Sequence, residues 1–199
     1  LSGDYLFAKA FRIVSEMPHM EYLKIFSHII TCLVEGEFMQ MEDVYRIDQG
    51  IDRYMTKTQK KTADFMEGCM ELGGLLGGWS SDEIMHLKRY GHALGMAFQI
   101  TDDIMDYRET SDTTGKPVGN DLREGLLTYP LLSIVNESNQ NQLLQDIKNL
   151  NHGGNEQEII DYVIAQGGID NTLRVAQQYC DDALSALQSI RDFDGKEFL

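Results

Sequence analysis

The sequence predicts an all-α protein. Apolar residues recur at steps of three and four along several long segments, the spacing that forms one face of a helix. No segment alternates apolar and polar residues as a half-buried strand would. Prolines, which break helices, number only three in 199 residues. We expect residues 1–199 to form a single domain, because a chain of this length suits one hydrophobic core.

Seven helical segments follow from this periodicity, at residues 4–16, 21–39, 49–76, 82–107, 128–150, 155–166 and 169–191. The third ends in a glycine-rich run, which is typical of a helix terminus, and the fourth follows Ser80, a residue type that caps helix starts. Residues 108–126 are predicted to form a polar loop. The first helix begins with no cap before it, so we expect the chain to start partway through a larger fold.

Charge and cysteine content exclude several classes of protein. The formal net charge is −15, from 17 Lys and Arg against 32 Asp and Glu. A nucleic-acid partner is not expected, because phosphate backbones are held by clustered cations. The three cysteines, Cys32, Cys69 and Cys180, are scattered, which predicts reduced thiols in a cytoplasmic protein. No apolar run approaches the ~18 residues of a transmembrane helix.

The fourth helix carries a cluster of carboxylates. On a helix, Asp102 and Asp106 are separated by about 40°, and Asp103 lies within about 60° of Asp106, so all three point to one side, which Gln99 shares. Like charges at this spacing repel, and a hard divalent cation such as Mg²⁺ offsets the repulsion. The alternative is an acidic face in solvent. Four apolar neighbours argue against it by predicting that much of this helix is buried: Phe98, Ile100, Ile104 and Met105.

Two lysines are candidates for binding phosphate. Lys116 lies among glycines in the loop that follows the acidic helix, where a mobile ammonium could reach the same site. An ordinary surface loop explains the same residues equally well. Lys61 and Thr62, in the middle of the third helix, could together hold a diphosphate, although a solvated lysine is the more common situation.

In combination, these landmarks resemble the trans-polyprenyl diphosphate synthase family. The run Asp102-Asp103-Ile104-Met105-Asp106, preceded by Phe98-Gln99, resembles its second aspartate-rich motif. Residues 115–130 resemble its G-K-P-x-G-x-D-L-x-x-G-x-x-T-x-P run, in a form similar to bacterial medium- and long-chain, heptaprenyl-type members. Lys61-Thr62 matches its K-T pair. Residues 3–6 and 36–40 resemble two further family motifs, and all occur in family order.

The resemblance implies an isoprenoid-synthase-type helical bundle around a central cavity. Members condense isopentenyl diphosphate with an allylic diphosphate, using Mg²⁺ to promote departure of the allylic diphosphate. Carried over to this chain, the Mg²⁺ ligands would be Asp102, Asp103 and Asp106. The groups that hold the allylic diphosphate and complete its polar shell would be Lys61, Thr62, Gln99 and Lys116. Catalysis would rest on Asp102, Asp103 and Lys61, and Asp121 would orient a lysine or a water molecule.

The chain also departs from the family pattern. The first aspartate-rich motif and the arginines that receive isopentenyl diphosphate would lie upstream of residue 1, so the N-terminal helices of the bundle are expected to be missing. Many members carry lysine where this chain has Leu126. The usual C-terminal helix would be cut short at Leu199. We therefore expect the 199-residue chain to bind diphosphate weakly and to be inactive alone.

Two alternatives stay open at this stage. A non-catalytic partner subunit of a heteromeric prenyl synthase would share the helices, but such subunits tend to lose the aspartate motif that is intact here. A terpene cyclase would share the metal and diphosphate chemistry, but it would not require the Lys61-Thr62 pair or the run at residues 115–130. The resemblance implies a homodimer, with a heterodimer as the alternative.

Overall fold

A computed structural model describes residues 1–108, 119–193 and 196. These residues form helices and turns without a β-strand among them, which confirms the all-α prediction. In addition to the α-helices, the chain has a π-helical turn, Gln59–Ala63, and a 3-10 turn, Leu150–His152. The helices are α1 Ser2–Ser15, α2 Met20–Glu42, α3 Gly50–Thr58, α4 Asp64–Leu76, α5 Ser81–Arg108, α6 Asn120–Glu124, α7 Tyr129–Leu132, α8 Gln140–Asn149, α9 Glu156–Ala165 and α10 Gly168–Gln188.

The predicted boundary between the third and fourth helices is confirmed. Helix α4 ends at Leu76, inside the glycine-rich run. Before α5, the hydroxyl of Ser80 accepts a hydrogen bond from the Glu83 N–H (3.4 Å), and the Glu83 carboxylate accepts one from the Ser80 N–H (3.0 Å). This reciprocal capping satisfies two backbone donors that no helical carbonyl reaches.

The single helix predicted at residues 128–150 is wrong. The chain forms two shorter helices there, α7 and α8, with residues 133–139 between them outside any helix. The side chain of Asn136 accepts hydrogen bonds from the N–H (3.0 Å) and the hydroxyl of Ser138, and the Asn139 side chain accepts one from the Asn136 N–H (2.8 Å). Such local bonds offer the backbone an alternative to helical pairing.

Helix α5 is the central element, packed along α4 on one side and α10 on another. Ile100 and Ile104 are buried in the main core as predicted. Phe98 and Met105 are not: they are 56% and 46% exposed, so burial of α5 is less complete than the sequence suggested. No described helix is both long enough and apolar enough to cross a bilayer.

The π-helical turn is held between α2 and α5 by close backbone contacts. A Cβ atom added at Gly95 of α5 would lie 2.6 Å from the Cα of Ala63, which is fully buried. One added at Gly36 of α2 would lie 2.9 Å from the backbone nitrogen of Lys61. These two glycines therefore set how near the turn lies to its neighbours, and the turn carries Lys61 and Thr62.

Replacing Gly95 with alanine tests this packing. Because the new methyl group would meet backbone rather than a flexible side-chain end, we expect Gly95→Ala to lower the free energy of unfolding by about 1–3 kcal/mol. The matched control is Gly73→Ala in α4, where an added Cβ meets nothing within 4 Å. It should be neutral or stabilising by up to about 1 kcal/mol. Denaturant unfolding measures both, and equal effects would contradict the close contact.

Candidate active site

A polar cavity of about 180 Å³ lies where α2, α3, the π-helical turn and α5 meet the segment around α6. It is smaller than the roughly 300–1,000 Å³ of pockets for drug-sized ligands, and it suits a compact polar group. The residues that line it are Gln40, Tyr54, Lys57, Thr58, Lys61, Thr62, Gln99, Asp102, Asp103, Asp121, Leu126, Leu127 and Thr128.

Asp103 is fixed by a chain of hydrogen bonds across the cavity wall. It is 5% exposed and accepts from the Tyr54 hydroxyl at 2.5 Å and from the Gln99 amide at 3.1 Å. Gln99 in turn accepts from the Thr62 hydroxyl at 2.9 Å. Desolvation raises the pKa of Asp103 to about 6 even though both hydrogen bonds act in the opposite direction. The carboxylate is thus oriented, but its ionised form is costly.

Asp102 and Asp106 have different surroundings. Asp102 is exposed and lines the cavity, so its carboxylate is accessible to a ligand. Asp106 is half-buried and does not line it. Its two oxygens accept from the backbone N–H groups of Asn120 (3.0 Å) and Asp121 (3.1 Å), at the start of α6. Asp106 therefore anchors a helix inside the stretch that was predicted to be loop throughout, and that helix carries Asp121 to the cavity.

Asp121 adds a second acidic wall. Desolvation, followed by repulsion from Asp106 and Asp103, raises its pKa to about 7. Together with Asp102 and Asp103, it surrounds the cavity with carboxylates that repel one another. A bound cation would relieve this repulsion.

Two lysines face these acids. Lys61 is half-buried, donates to the Gln40 side-chain oxygen at 2.8 Å and lies 3.0 Å from the Glu37 carboxylate. Lys57, one helical turn earlier, is only 8% exposed. Lys116, the other lysine predicted to bind phosphate, lies outside the described residues.

The structure thus brings five of the predicted site residues to one cavity: Lys61, Thr62, Gln99, Asp102 and Asp103. Sequence reasoning missed Tyr54 and Lys57. A signal existed, because they precede Lys61 by seven and four residues and so share its face on a regular helix. Their residue types did not suggest a site, because a tyrosine commonly packs in the core and a lysine commonly lies at the surface.

The donor set fits a hard divalent cation such as Mg²⁺, because it consists of carboxylate oxygens beside amide and hydroxyl groups. The described residues contain one tight group of three possible ligands with donor atoms within 4.8 Å, and it lies elsewhere: Asp64, Glu67 and His92. There Glu67 pairs with His92 at 3.3 Å and with Lys88 at 3.5 Å, which accounts for the group as ion pairing.

The comparisons with known proteins agree on one family. A family model described as "Polyprenyl synthetase" matches residues 1–166. The chain is 32% identical over 203 residues to octaprenyl diphosphate synthase of Escherichia coli (strain K12). It is 29% identical over 189 residues to heptaprenyl diphosphate synthase component 2 of Geobacillus stearothermophilus, covering 95% of this chain and 59% of that protein.

A solved structure gives the same result for the fold. The crystal structure of a polyprenyl synthase from Caulobacter crescentus, complexed with calcium and isoprenyl diphosphate, superposes with a TM-score of 0.87 at 31% identity. The match covers 98% of this chain and 61% of that one. The alignment with the Escherichia coli relative covers 100% of this chain and 62% of the relative's length. The predicted isoprenoid-synthase-type helical fold is confirmed.

The raised pKa of Asp121 predicts a pH-dependent stability. In the unfolded chain this carboxyl has its ordinary pKa of 3.8, whereas folding raises the pKa to about 7. Between these values the folded protein binds more protons than the unfolded one, so its stability falls as the pH rises through this window. We therefore expect Asp121→Asn to stabilise the protein more at pH 8 than at pH 5, measured by denaturant unfolding with EDTA present.

Mg²⁺ provides the control for this experiment. A cation in the cavity favours the ionised carboxylate, so saturating Mg²⁺ should reduce the difference between the two pH values. A stability gain of Asp121→Asn that is the same at both pH values would contradict the burial and charge repulsion assigned to this residue.

Proposed function

This chain belongs to the polyprenyl synthetase family, and we propose that the complete protein condenses isopentenyl diphosphate with an allylic diphosphate in a Mg²⁺-dependent reaction. The product is a longer trans-polyprenyl diphosphate. The chain described here spans about 62% of its Escherichia coli relative, and the part assigned to it is the half-site that holds the metal and the allylic diphosphate.

The observation that carries this proposal is the cavity itself. Asp102 and Asp103 form one wall, and Lys61 and Thr62 approach from the π-helical turn. Carboxylates for a divalent cation and an ammonium with a hydroxyl for phosphate oxygens are the two ligand sets that a metal–diphosphate complex requires. The Caulobacter crescentus relative, solved with calcium and isoprenyl diphosphate, supports the same pairing by analogy.

Each residue has a role that follows from its surroundings. Asp102 is the first metal ligand proposed, because it is exposed to the cavity. Asp103 is a second, held in one orientation by Tyr54 and Gln99. Asp106 is proposed as the third from the sequence motif; it does not line the cavity, and its oxygens accept backbone N–H groups while each keeps a further lone pair. When bound, Mg²⁺ would supply Lewis-acid stabilisation of the departing diphosphate.

The polar side chains orient the diphosphate. Lys61 is held at the cavity by Gln40 and Glu37, and its ammonium would exchange part of this pairing for phosphate oxygens. Thr62 donates to Gln99, which positions the Gln99 amide against Asp103. Removing the hydroxyl would therefore disturb the orientation of a metal ligand as well as a phosphate contact. Lys116 is proposed as a further diphosphate ligand from the sequence motif alone.

A homodimer is the proposed assembly. Helix α1 has no buried residue, and it exposes an apolar surface that association could cover: Tyr5, Leu6, Phe7, Phe11 and Ile13. The Geobacillus stearothermophilus relative is named as one component of its enzyme, which keeps a heterodimer as the second proposal. A cytoplasmic location is proposed from the three cysteines, which are all free.

The test measures two properties of the 199-residue chain: Mg²⁺-dependent binding of inorganic diphosphate by calorimetry, and elongation of farnesyl diphosphate with labelled isopentenyl diphosphate. We expect Asp102→Asn to weaken diphosphate binding by roughly 10- to 100-fold, because it removes a charged ligand of the metal. Any elongated product should fall by about 100-fold or more in the same variant. Asp82→Asn, an equal charge change at the exposed start of α5, is the matched control.

Each outcome has a definite meaning. Products that depend on Mg²⁺ and Asp102 would support the whole proposal, and would show that the expected inactivity of the chain alone is wrong. Mg²⁺-dependent diphosphate binding without products would support the half-site assigned to this chain. If diphosphate fails to bind with or without Mg²⁺, the proposed function does not hold for this cavity.

A further inference from the structure

Lys57 of α3 is unusual because its charged side chain is buried. It is 8% exposed, and it lines the same cavity as Asp102 and Lys61. Burying an ammonium is costly unless it is paired and hydrogen-bonded. A lysine in such a place therefore needs either a structural partner that uses its charge fully or a ligand that does so.

The charged partner nearest to Lys57 is already paired with arginine through one of its two oxygens. Asp43 is 1% exposed, and its Oδ1 accepts from Arg53 at 2.6 Å, with Arg46 at 3.6 Å from the same oxygen. The Lys57 ammonium approaches the other oxygen only to 3.9 Å, which is too far for a hydrogen bond. Arg53 and Arg46 thus bring two positive charges to this carboxylate, so Lys57 is not its principal counter-charge, and Oδ2 has no hydrogen-bond partner among the described residues.

The hydrogen bonds of Lys57 are also incomplete. An ammonium has three donors. Among the described residues it makes one long contact, 3.4 Å to the Gln49 side-chain oxygen, and lies 5.9 Å from the centre of the Tyr54 ring. Burial lowers the pKa of Lys57, while the nearby carboxylates of Asp43 and Asp103 favour its protonated form. Lys57 therefore presents a buried positive charge with spare donors at the cavity wall.

Among the described residues that line the cavity, the positive charges belong to Lys57 and Lys61. Leu126 lines it and contributes only an aliphatic side chain. Lys61, the remaining lysine of the wall, is already contacted by Glu37 and Gln40. Among the described residues of the cavity, a highly charged anion would therefore find its least engaged ammonium at position 57.

We propose that Lys57 is a diphosphate-binding residue, which supplies from α3 a positive charge that Leu126 does not supply to the same cavity. This role rests on the proposed function, because it assumes a diphosphate in the cavity. It adds to that function a substrate ligand that the aspartate and lysine motifs of the sequence do not contain.

The experiment titrates the full 199-residue chain with inorganic diphosphate at fixed Mg²⁺ and compares variants at position 57. We expect Lys57→Met to weaken binding by about 10- to 100-fold, the effect of losing a hydrogen bond to a charged group. Lys57→Arg should retain most of the affinity because it keeps the charge. Lys60→Met is the matched control: Lys60 lies on the same helical stretch, pairs with Glu35 at 2.6 Å and does not line the cavity.

Moving the positive charge from position 57 to position 126 distinguishes a ligand role of Lys57 from a structural role. In the double variant Lys57→Met, Leu126→Lys, the ammonium enters the same cavity from position 126, and we expect it to recover at least about tenfold of the lost affinity. A merely structural role for Lys57 predicts no recovery. Thermal unfolding without ligand checks that each variant is folded. If Lys57→Met unfolds, Lys57→Gln, which keeps a donor for Gln49, replaces it in both the single and the double variant.

The outcomes distinguish the role of Lys57 from the proposed function on which that role rests. Binding by the unaltered chain that is unchanged in Lys57→Met or Lys57→Gln would overturn the role of Lys57 and leave the proposed function standing. Absence of Mg²⁺-dependent binding by the unaltered chain would overturn both. Weakened binding in the single variant, with recovery in the swap, would support both.

Discussion

The site depends on one packing constraint: the backbone of the π-helical turn lies between two glycines. Gly36 and Gly95 let α2 and α5 approach residues 61–63 more closely than any side chain would permit. The wider turn of a π-helix adds a residue relative to an α-helix, and such bulges occur frequently at functional sites. Here it places Lys61 and Thr62 against α5. Without this contact, Thr62 would not reach Gln99, and the hydrogen bonds that orient Asp103 would lose their outer member.

Electrostatics then determines what such a cavity can accept. The chain carries a net charge of −15, and three of its carboxylates lie close together at the cavity. Burial and mutual repulsion raise the pKa of Asp103 to about 6 and that of Asp121 to about 7, so full ionisation is unfavourable in the protein alone. A divalent cation reverses this preference. The anionic substrate that we propose is thus compatible with an acidic protein, because bound metal ions and buried lysines would supply the local positive field.

The sequence predicted those features that depend on local pattern. The helices follow from apolar spacing, and the start of α5 follows from Ser80 and Glu83. The carboxylates of α5 follow from their helical interval. Side-chain competition with the backbone was not predictable from periodicity, so the break around Asn136 was missed. The anchoring of α6 by Asp106 was missed because it joins residues 14 and 15 positions apart.

The two missed wall residues, Tyr54 and Lys57, show a different limit. Their spacing from Lys61 was visible, but their burial was not, because burial depends on α5 and on residues more than forty positions away. A lysine on a helix is ordinarily solvated. It becomes a candidate ligand when the fold removes its water and a neighbouring ion pair, here Asp43 with Arg53, already engages the nearest carboxylate. The cation of a binding site can therefore come from any element that borders the cavity, and a motif that lacks lysine at position 126 does not by itself leave the cavity without positive charge.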